Sequence, residues 1–491
     1  MKIHYSLRFF LLQTSTALAL FSNQATAGTT FNGNAAATTG NWDAAANWEG
    51  TLPTFNATTD LLFRNITATN RTTSLIASAK TVRSLTFNGN VTAGFEIRLT
   101  NGTNGAAMNL TMGDASNAAA ITVNSDAAGN ITIGKGSGTT GNDGNLILAN
   151  NLAVAQNSAN ATLIIDRPIT GAFALTKSGA GTLKLSGTNT YTGVTNINNG
   201  TLQLDGSTSA SSTVGIGTAG ILSGIGTVNG SATLTGGGII NKSAGSIAGT
   251  LGVTGGNWNG SGTVTGAVTS SSGTFTIGSG ANLTSTAGVA ATGGALVVNG
   301  TLTGALSTNS STTVSGTGTI TGNTTISGIH SPGNSPGVQS YGSNLSYVGG
   351  SSVTWELGVD GLGTRGTDFD GINVGGILDF SGATTVNLAF NFAGSTVDWT
   401  DAFWDTSRTG TSGWLVYDVA GTTTNFSNLS VTAANWLDGS GGNFDTSNLG
   451  NTFSLYQDGS DIYLNYNVVP EPNVAALLGG LGTLILLRRR R

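Results

Sequence analysis

The residues of this 491-residue sequence that could perform acid–base or metal chemistry are few, and they gather towards its two ends. Between Gly206 and Trp355 the only formally charged side chain is Lys242. Glycoside hydrolysis needs two carboxyl groups about 5 to 9 Å apart, and polysaccharide elimination needs a base beside a bound cation. Neither can be assembled inside that span. Candidates remain on either side of it: Asp126, Asp143, Asp166 and Arg167 before, and an Asp-rich stretch after. Asp368/Asp370 and Asp458/Asp461 have spacings a calcium loop could use. A hard cation wants about six to eight oxygens, however, and neither pair matches an EF-hand loop or an aspartate–glycine nonapeptide repeat. They read as solvated acids at turns, and Asp458-Gly459 is itself a hairpin signal. His330 has no Ser/Asp partner nearby in the sequence and reads as structural or solvated rather than catalytic. Cysteine is absent, which removes thiol nucleophiles, thiolate metal sites and disulfides. The expectation is a protein that is not an enzyme and holds no cofactor and no metal.

The elements that must carry these residues are short strands. From Leu175 to Leu204 three runs alternate in polarity: Thr182-Leu183-Lys184-Leu185, Val194-Thr195-Asn196-Ile197 and Thr201-Leu202-Gln203-Leu204. Alternation puts the apolar side chains on one face, and the Gly and Asn residues between runs permit turns. Strands of four residues cannot bury a face alone; they need copies stacked above and below. A Gly-Thr-aliphatic or aromatic tripeptide recurs at Gly181, Gly200, Gly226, Gly249, Gly262, Gly273, Gly300 and Gly318, at intervals of 11 to 27 residues. That scatter excludes a fixed-period array and suits coils of roughly 20 to 25 residues with variable corners. The predicted fold is all-β: a right-handed parallel β-helix (β-solenoid) with an aromatic-rich β cap unit towards the C-terminus. An antiparallel sandwich array is the alternative, but it would want more regular spacing and more aromatic core.

Charged residues make up only 8% of the chain, and 76 residues are Gly. Without Lys2, Arg8 and Arg488 to Arg491, which lie in segments expected to be removed, 12 bases face 23 acids, a net of −11. An acidic chain of this kind is not a nucleic-acid partner.

Both ends read as addresses. Residues 1–27 have a basic start, an apolar stretch from Leu7 to Phe21 and the small-residue site Ala25-Thr26-Ala27. They read as a secretory signal, cut by signal peptidase before Gly28. Residues 28–60 form a cap segment, in which Trp42 and Trp48 cover the open end of the first coil. A sugar-stacking role for the two tryptophans is the lesser alternative. Residues 61–329 are the repeat region. Residues 330–467 differ in texture: Asn344 to Tyr466 holds five of the eight Trp and 13 of the 23 acids but only two bases. Residues 468–491 comprise Pro470-Glu471-Pro472, an apolar run Val474–Leu487 and four arginines. The apolar run gives about 21 Å of helix, which with flanking residues just reaches across a bilayer of about 30 Å. The arginines are expected on the cytoplasmic side, leaving the chain anchored in the inner membrane.

Several of these stretches resemble known families. Lys177, Gly179, Gly181, Thr182, Leu183, Leu185, Gly187, Asn189, Thr190, Tyr191, Gly193, Thr195, Gly200, Thr201 and Leu202 stand where the autotransporter-associated β-strand repeat has its pattern. Ser331 to Gly337, SPGNSPG, resembles the turn that joins repeats to the terminal unit in autotransporter passengers. Asn41-Trp42 and Asn47-Trp48 are similar to the start of such proteins. Asp368-Phe369-Asp370 with Ile372-Asn373-Val374 resembles one of their late strands. The tail resembles the PEP-CTERM sorting signal through Pro470, Glu471 and Pro472, which implies recognition by an exosortase-type membrane protease. Autotransporters end in a membrane β-barrel, for which no room is expected after Tyr466. These resemblances imply an exported, non-enzymatic β-helical protein of the cell surface or extracellular matrix. It would be structural or adhesive, anchored transiently and in contact with extracellular polysaccharide. A carbohydrate-binding or carbohydrate-active β-helix, lyase or glycosidase, is the alternative.

Overall fold

A computed structural model describes residues 29–31, 39–64, 71–75, 78–89, 94–100, 106–134, 143–432 and 436–469. About 50% of the chain is strand and 4% helix. Nearly every strand pairs in parallel with the strand one coil before and one coil after it. The result is the parallel β-helix that the alternating pattern predicts.

The coils have three faces. The two halves of strand Thr195–Leu204 lie on different faces, as do those of Val214–Ser223. These two strands therefore join the first and second faces into one 32-stranded sheet. The third face consists of a 4-stranded and an 11-stranded sheet. Single parallel bridges at Thr188, Ser207 and Thr227 link the two.

Register explains how such short strands are stable. On the first face Leu163, Leu183, Leu202, Leu222, Ile240, Trp258, Ile277 and Val298 stand directly over one another. All are completely buried. On the third face Leu283, Leu302, Ile320 and Tyr341 do the same. Each such aliphatic side chain contributes about 1.5–3 kcal/mol by leaving water, and the apolar neighbours above and below make that burial possible. Alternation fixes the register, because a slip of one residue would turn a whole column outward.

The stack has no break near residue 330: Ile329–Pro332 pairs in parallel with Thr312–Gly316 behind it and with Ser351–Glu356 ahead. Parallel pairing continues to Leu429–Thr432. The final hairpin, Thr452–Asp458 and Asp461–Asn467, is antiparallel and packs on Trp414–Val419. Aromatic residues close both ends. Trp42 stacks on Phe55 at 5.5 Å and meets Trp48 edge-on at 6.1 Å. At the other end Trp399 packs against Phe390 and Trp404, both at 4.7 Å. Trp436, Phe444, Phe453 and Tyr466 complete that cluster. The predicted membrane helix lies outside the described residues, among which no helix is long and apolar enough to cross a bilayer.

Candidate functional site

The ionisable groups within the coils are engaged internally to different degrees. Lys177 is fully buried, and its Nζ donates to the carbonyls of Ser178, Gly179 and Asn199 at 2.8, 2.7 and 3.0 Å. Burial pulls its pKa down to about 8. Lys242 is equally buried, but its Nζ has no hydrogen-bond partner among the described residues. Its pKa also falls to about 8 through burial, opposed weakly by Asp205. Asp205 is itself paired with Lys184 at 2.8 Å.

A second group surrounds the Ser331–Gly337 turn. His330, from strand Ile329–Pro332, points inward because it alternates with exposed Ile329. Its Nε2 lies 2.8 Å from Oε1 of Gln339, and its Nδ1 lies 2.5 Å from the Tyr347 hydroxyl. An amide oxygen only accepts, so Nε2 carries the proton and Nδ1 accepts from Tyr347. Tyr341 also donates to that oxygen at 3.2 Å, and Gln339 Nε2 donates to the Ser315 carbonyl at 3.0 Å. Burial lowers the His330 pKa to about 4, so the ring is neutral. Asp370 is fully buried beneath the turn and accepts from the backbone N–H groups of Gly337 (2.8 Å) and Glu356 (3.0 Å). Burial raises its pKa to about 8, with Glu356 adding to the shift. Glu356 accepts from the Ser335 hydroxyl at 3.0 Å, and its other oxygen is buried without a hydrogen-bond partner among the described residues. Burial raises its pKa too.

The acids singled out from sequence scatter over separate tasks. Arg167 lies 3.4 Å from Asp143 and donates to the carbonyls of Asp143 and Gly144. Asp126 packs against Gly89. Asp368 accepts from the Thr364 N–H at 2.7 Å, whereas Asp370 faces the turn, so the two do not share a site. Asp458 and Asp461 face each other across the hairpin, and Asp461 accepts from the Val419 N–H at 2.9 Å. Among the described residues no group of three or more His, Asp or Glu is arranged to hold a metal. Trp42 and Trp48 are both buried, and the Trp48 Nε1 donates to the Trp42 carbonyl at 3.0 Å. They pack the end of the stack and offer no sugar platform. Ala25, Ala27, Gly28, Pro470, Glu471 and Pro472 lie outside the described residues.

Sequence reasoning missed the Asp370–Glu356 pair and the burial of His330. The alternation Ile329-His330-Ser331-Pro332 carried the signal for His330. No local signal marks Asp370, because the turn it caps lies 33 residues away.

The stretch Leu175–Leu204 shows what its distinctive residues do. Lys177 gathers three carbonyls at a corner. Gly200 has φ +67°, and a Cβ there would sit 2.4 Å from the Gly179 carbonyl oxygen. The Asn189 side chain accepts from Ile169 N–H at 3.0 Å and donates to the Gly187 and Ser207 carbonyls at 3.0 and 2.9 Å. With the backbone N–H groups of Thr190 and Thr192, which donate to the Ile169 and Gly171 carbonyls, it ties the third face together where no regular strand forms. The Tyr191 hydroxyl, buried, meets the Thr195 hydroxyl at 2.6 Å. The chain is thus a stacked parallel β-helix with self-satisfying corners. Residues 175–204 match the family model of the passenger-associated-transport-repeat. Among curated proteins none matches the chain. Repeat and fold together fit an exported β-helical protein of passenger type.

Proposed function

We propose that the protein is a non-enzymatic component of the cell surface or extracellular matrix, structural or adhesive, delivered by an exosortase-type system. Signal peptidase would cut before Gly28. The apolar tail would then hold the chain in the inner membrane until the exosortase-type protease reads Pro470-Glu471-Pro472. Proline disfavours helix at and just before its own position, which suits a motif that a protease must read. Extracellular polysaccharide is the expected partner.

The observation that carries this reading is a stack whose coils from Gly206 to Trp355 hold a single formally charged side chain, Lys242, turned inward. A stiff rod of hydroxyl and amide side chains suits many weak contacts made at once. The test is fractionation of cells expressing the full chain and the Pro470→Ala/Glu471→Ala/Pro472→Ala variant. The wild type is expected at the surface or in the matrix, and the variant in the inner membrane. Equal distribution of the two would remove the sorting step from the reading. The carbohydrate-active alternative has one observation in its favour, the Asp370–Glu356 pair. Release of reducing or unsaturated ends by the purified protein, lost in Asp370→Asn, would establish it. No release is expected, because Asp370 is sealed beneath a turn.

A further inference from the structure

The three faces of the shaft differ in what they show to solvent. On the third face two outward columns run along the axis. One is Ser261, Asn282, Thr301, Thr319 and Ser340, each directly over the last. The other is Thr227, Ser246, Thr263, Thr284 and Thr303, with Thr321 next. Every position in both columns is Thr, Ser or Asn. The first face in the same span turns Ile221, Ile239, Val297 and Ile329 outward. The second has Gly215, Gly252 and Ala290 in its outward column. The hydroxyls of Thr263, Thr284, Thr301, Thr319 and Thr321 have no hydrogen-bond partner among the described residues, and all five side chains reach solvent. Successive coils lie about 4.8 Å apart, and alternate residues on a strand about 6.6 Å, so these hydroxyls form a regular two-column lattice, in which Ser246 donates to Thr227 at 3.3 Å and Thr303 to Asn282 at 3.5 Å.

We propose that this face is a docking surface for a neutral polysaccharide lying along the shaft axis. The inference rests on the matrix role argued above and names the surface and the chemistry of the partner. A hydroxyl both donates and accepts, so a hydroxyl lattice pairs with a hydroxyl-rich polymer in either sense. The step of one coil is comparable with one sugar of an extended chain, so contacts repeat in step along several coils. No charge lies on the lattice, and the C-terminal unit beyond it is acidic, which disfavours an anionic polymer. Threonine is stiff at χ1, so little side-chain freedom is lost on contact. Each contact is weak, and affinity comes from their number.

The test is retention of the purified secreted chain on cellulose, amylose and dextran, with alginate as the acidic polymer. Retention is expected on at least one neutral polymer, growing with polymer length and surviving molar salt. Thr284→Lys/Thr303→Lys is expected to cut it by about tenfold or more through loss of the repeated contacts. Thr233→Lys/Thr269→Lys, exposed on the second face, should leave it unchanged. Thermal melting of both variants should match the wild type, which separates a lost surface from a lost fold. No retention on any neutral polymer, preference for alginate, or equal loss in both variants would overturn the inference. A protein found at the surface that fails these assays defeats the docking face alone. A protein that passes them but is never exported defeats the matrix role instead.

Discussion

The shaft between Gly206 and Trp355 and the unit beyond it share one parallel stack yet meet burial differently. In the shaft each strand finds its apolar partner in the next coil, so Val, Leu and Ile fill most of the core, with Trp258, Phe275, Tyr341 and Tyr347 stacked among them, and charge is nearly absent. At the end no further coil follows among the described residues, and the cover comes from Trp399, Trp404, Trp414, Trp436 and the final hairpin. A repeated neighbour lets aliphatic side chains do most of the work; a missing neighbour draws a cluster of aromatic ones together. The N-terminal end obeys the same rule with Trp42, Trp48 and Phe55.

The sharpest way to break that contrast is at the end. Trp404→Ala is expected to cost about 3–5 kcal/mol and to expose the last coil, seen as a lower melting temperature and increased dye binding. Leu302→Ala in the shaft is expected to cost about 2–4 kcal/mol with no new exposed patch, because neighbours above and below stay in place. His330→Ala, at the join of the two regions, should cost about 2–3 kcal/mol by orphaning Gln339 and Tyr347.

The two buried lysines should part company. Lys177→Met is expected to destabilise by about 1–2 kcal/mol, since three carbonyls lose a donor. Lys242→Met should stabilise by about 1 kcal/mol, since its amine is buried without a hydrogen bond. Denaturant titration of both variants measures the difference.

The smallest effects lie in pH dependence. The unfolded His330 takes a proton near pH 6.5 but the folded one only near 4, so its contribution is lost as pH falls through that window. Asp370 runs the other way. Its folded pKa of about 8 exceeds 3.8, so its contribution is lost as pH rises from about 4 to 8. The two slopes oppose each other below pH 6.5; above it the His330 slope is gone, and that of Asp370 runs on to about 8, with Glu356 shifted in the same sense. Melting curves across that upper window should fall for the wild type and flatten for Asp370→Asn. Both lysines add stability as pH climbs from 8 to 10.5, because the unfolded chain keeps its protons longer.

The shaft was legible in the sequence because its physics is local. Alternation in Thr182–Leu185 and Thr201–Leu204, with Gly at the corners, states which way each side chain points. The stacking then follows from the strands being too short to stand alone. The aromatic cap was legible from composition. What could not be read was any contact between separate coils. Asp370 reaches back to Gly337, and His330 gathers Gln339, Tyr341 and Tyr347, through geometry that exists only once the coils are stacked. The variable intervals of the Gly-Thr tripeptide have a physical source too. Corners differ in length, and around Asn189 the third face is held by irregular backbone and side-chain bonds instead of a strand, so the count of residues per coil drifts.

The tryptophans at the two termini of the stack have one more result. A parallel β-helix left open would offer bare strand edges to the next molecule and invite head-to-tail fibres. Aromatic side chains over both ends of the described stack cover the apolar interior that such joining would need.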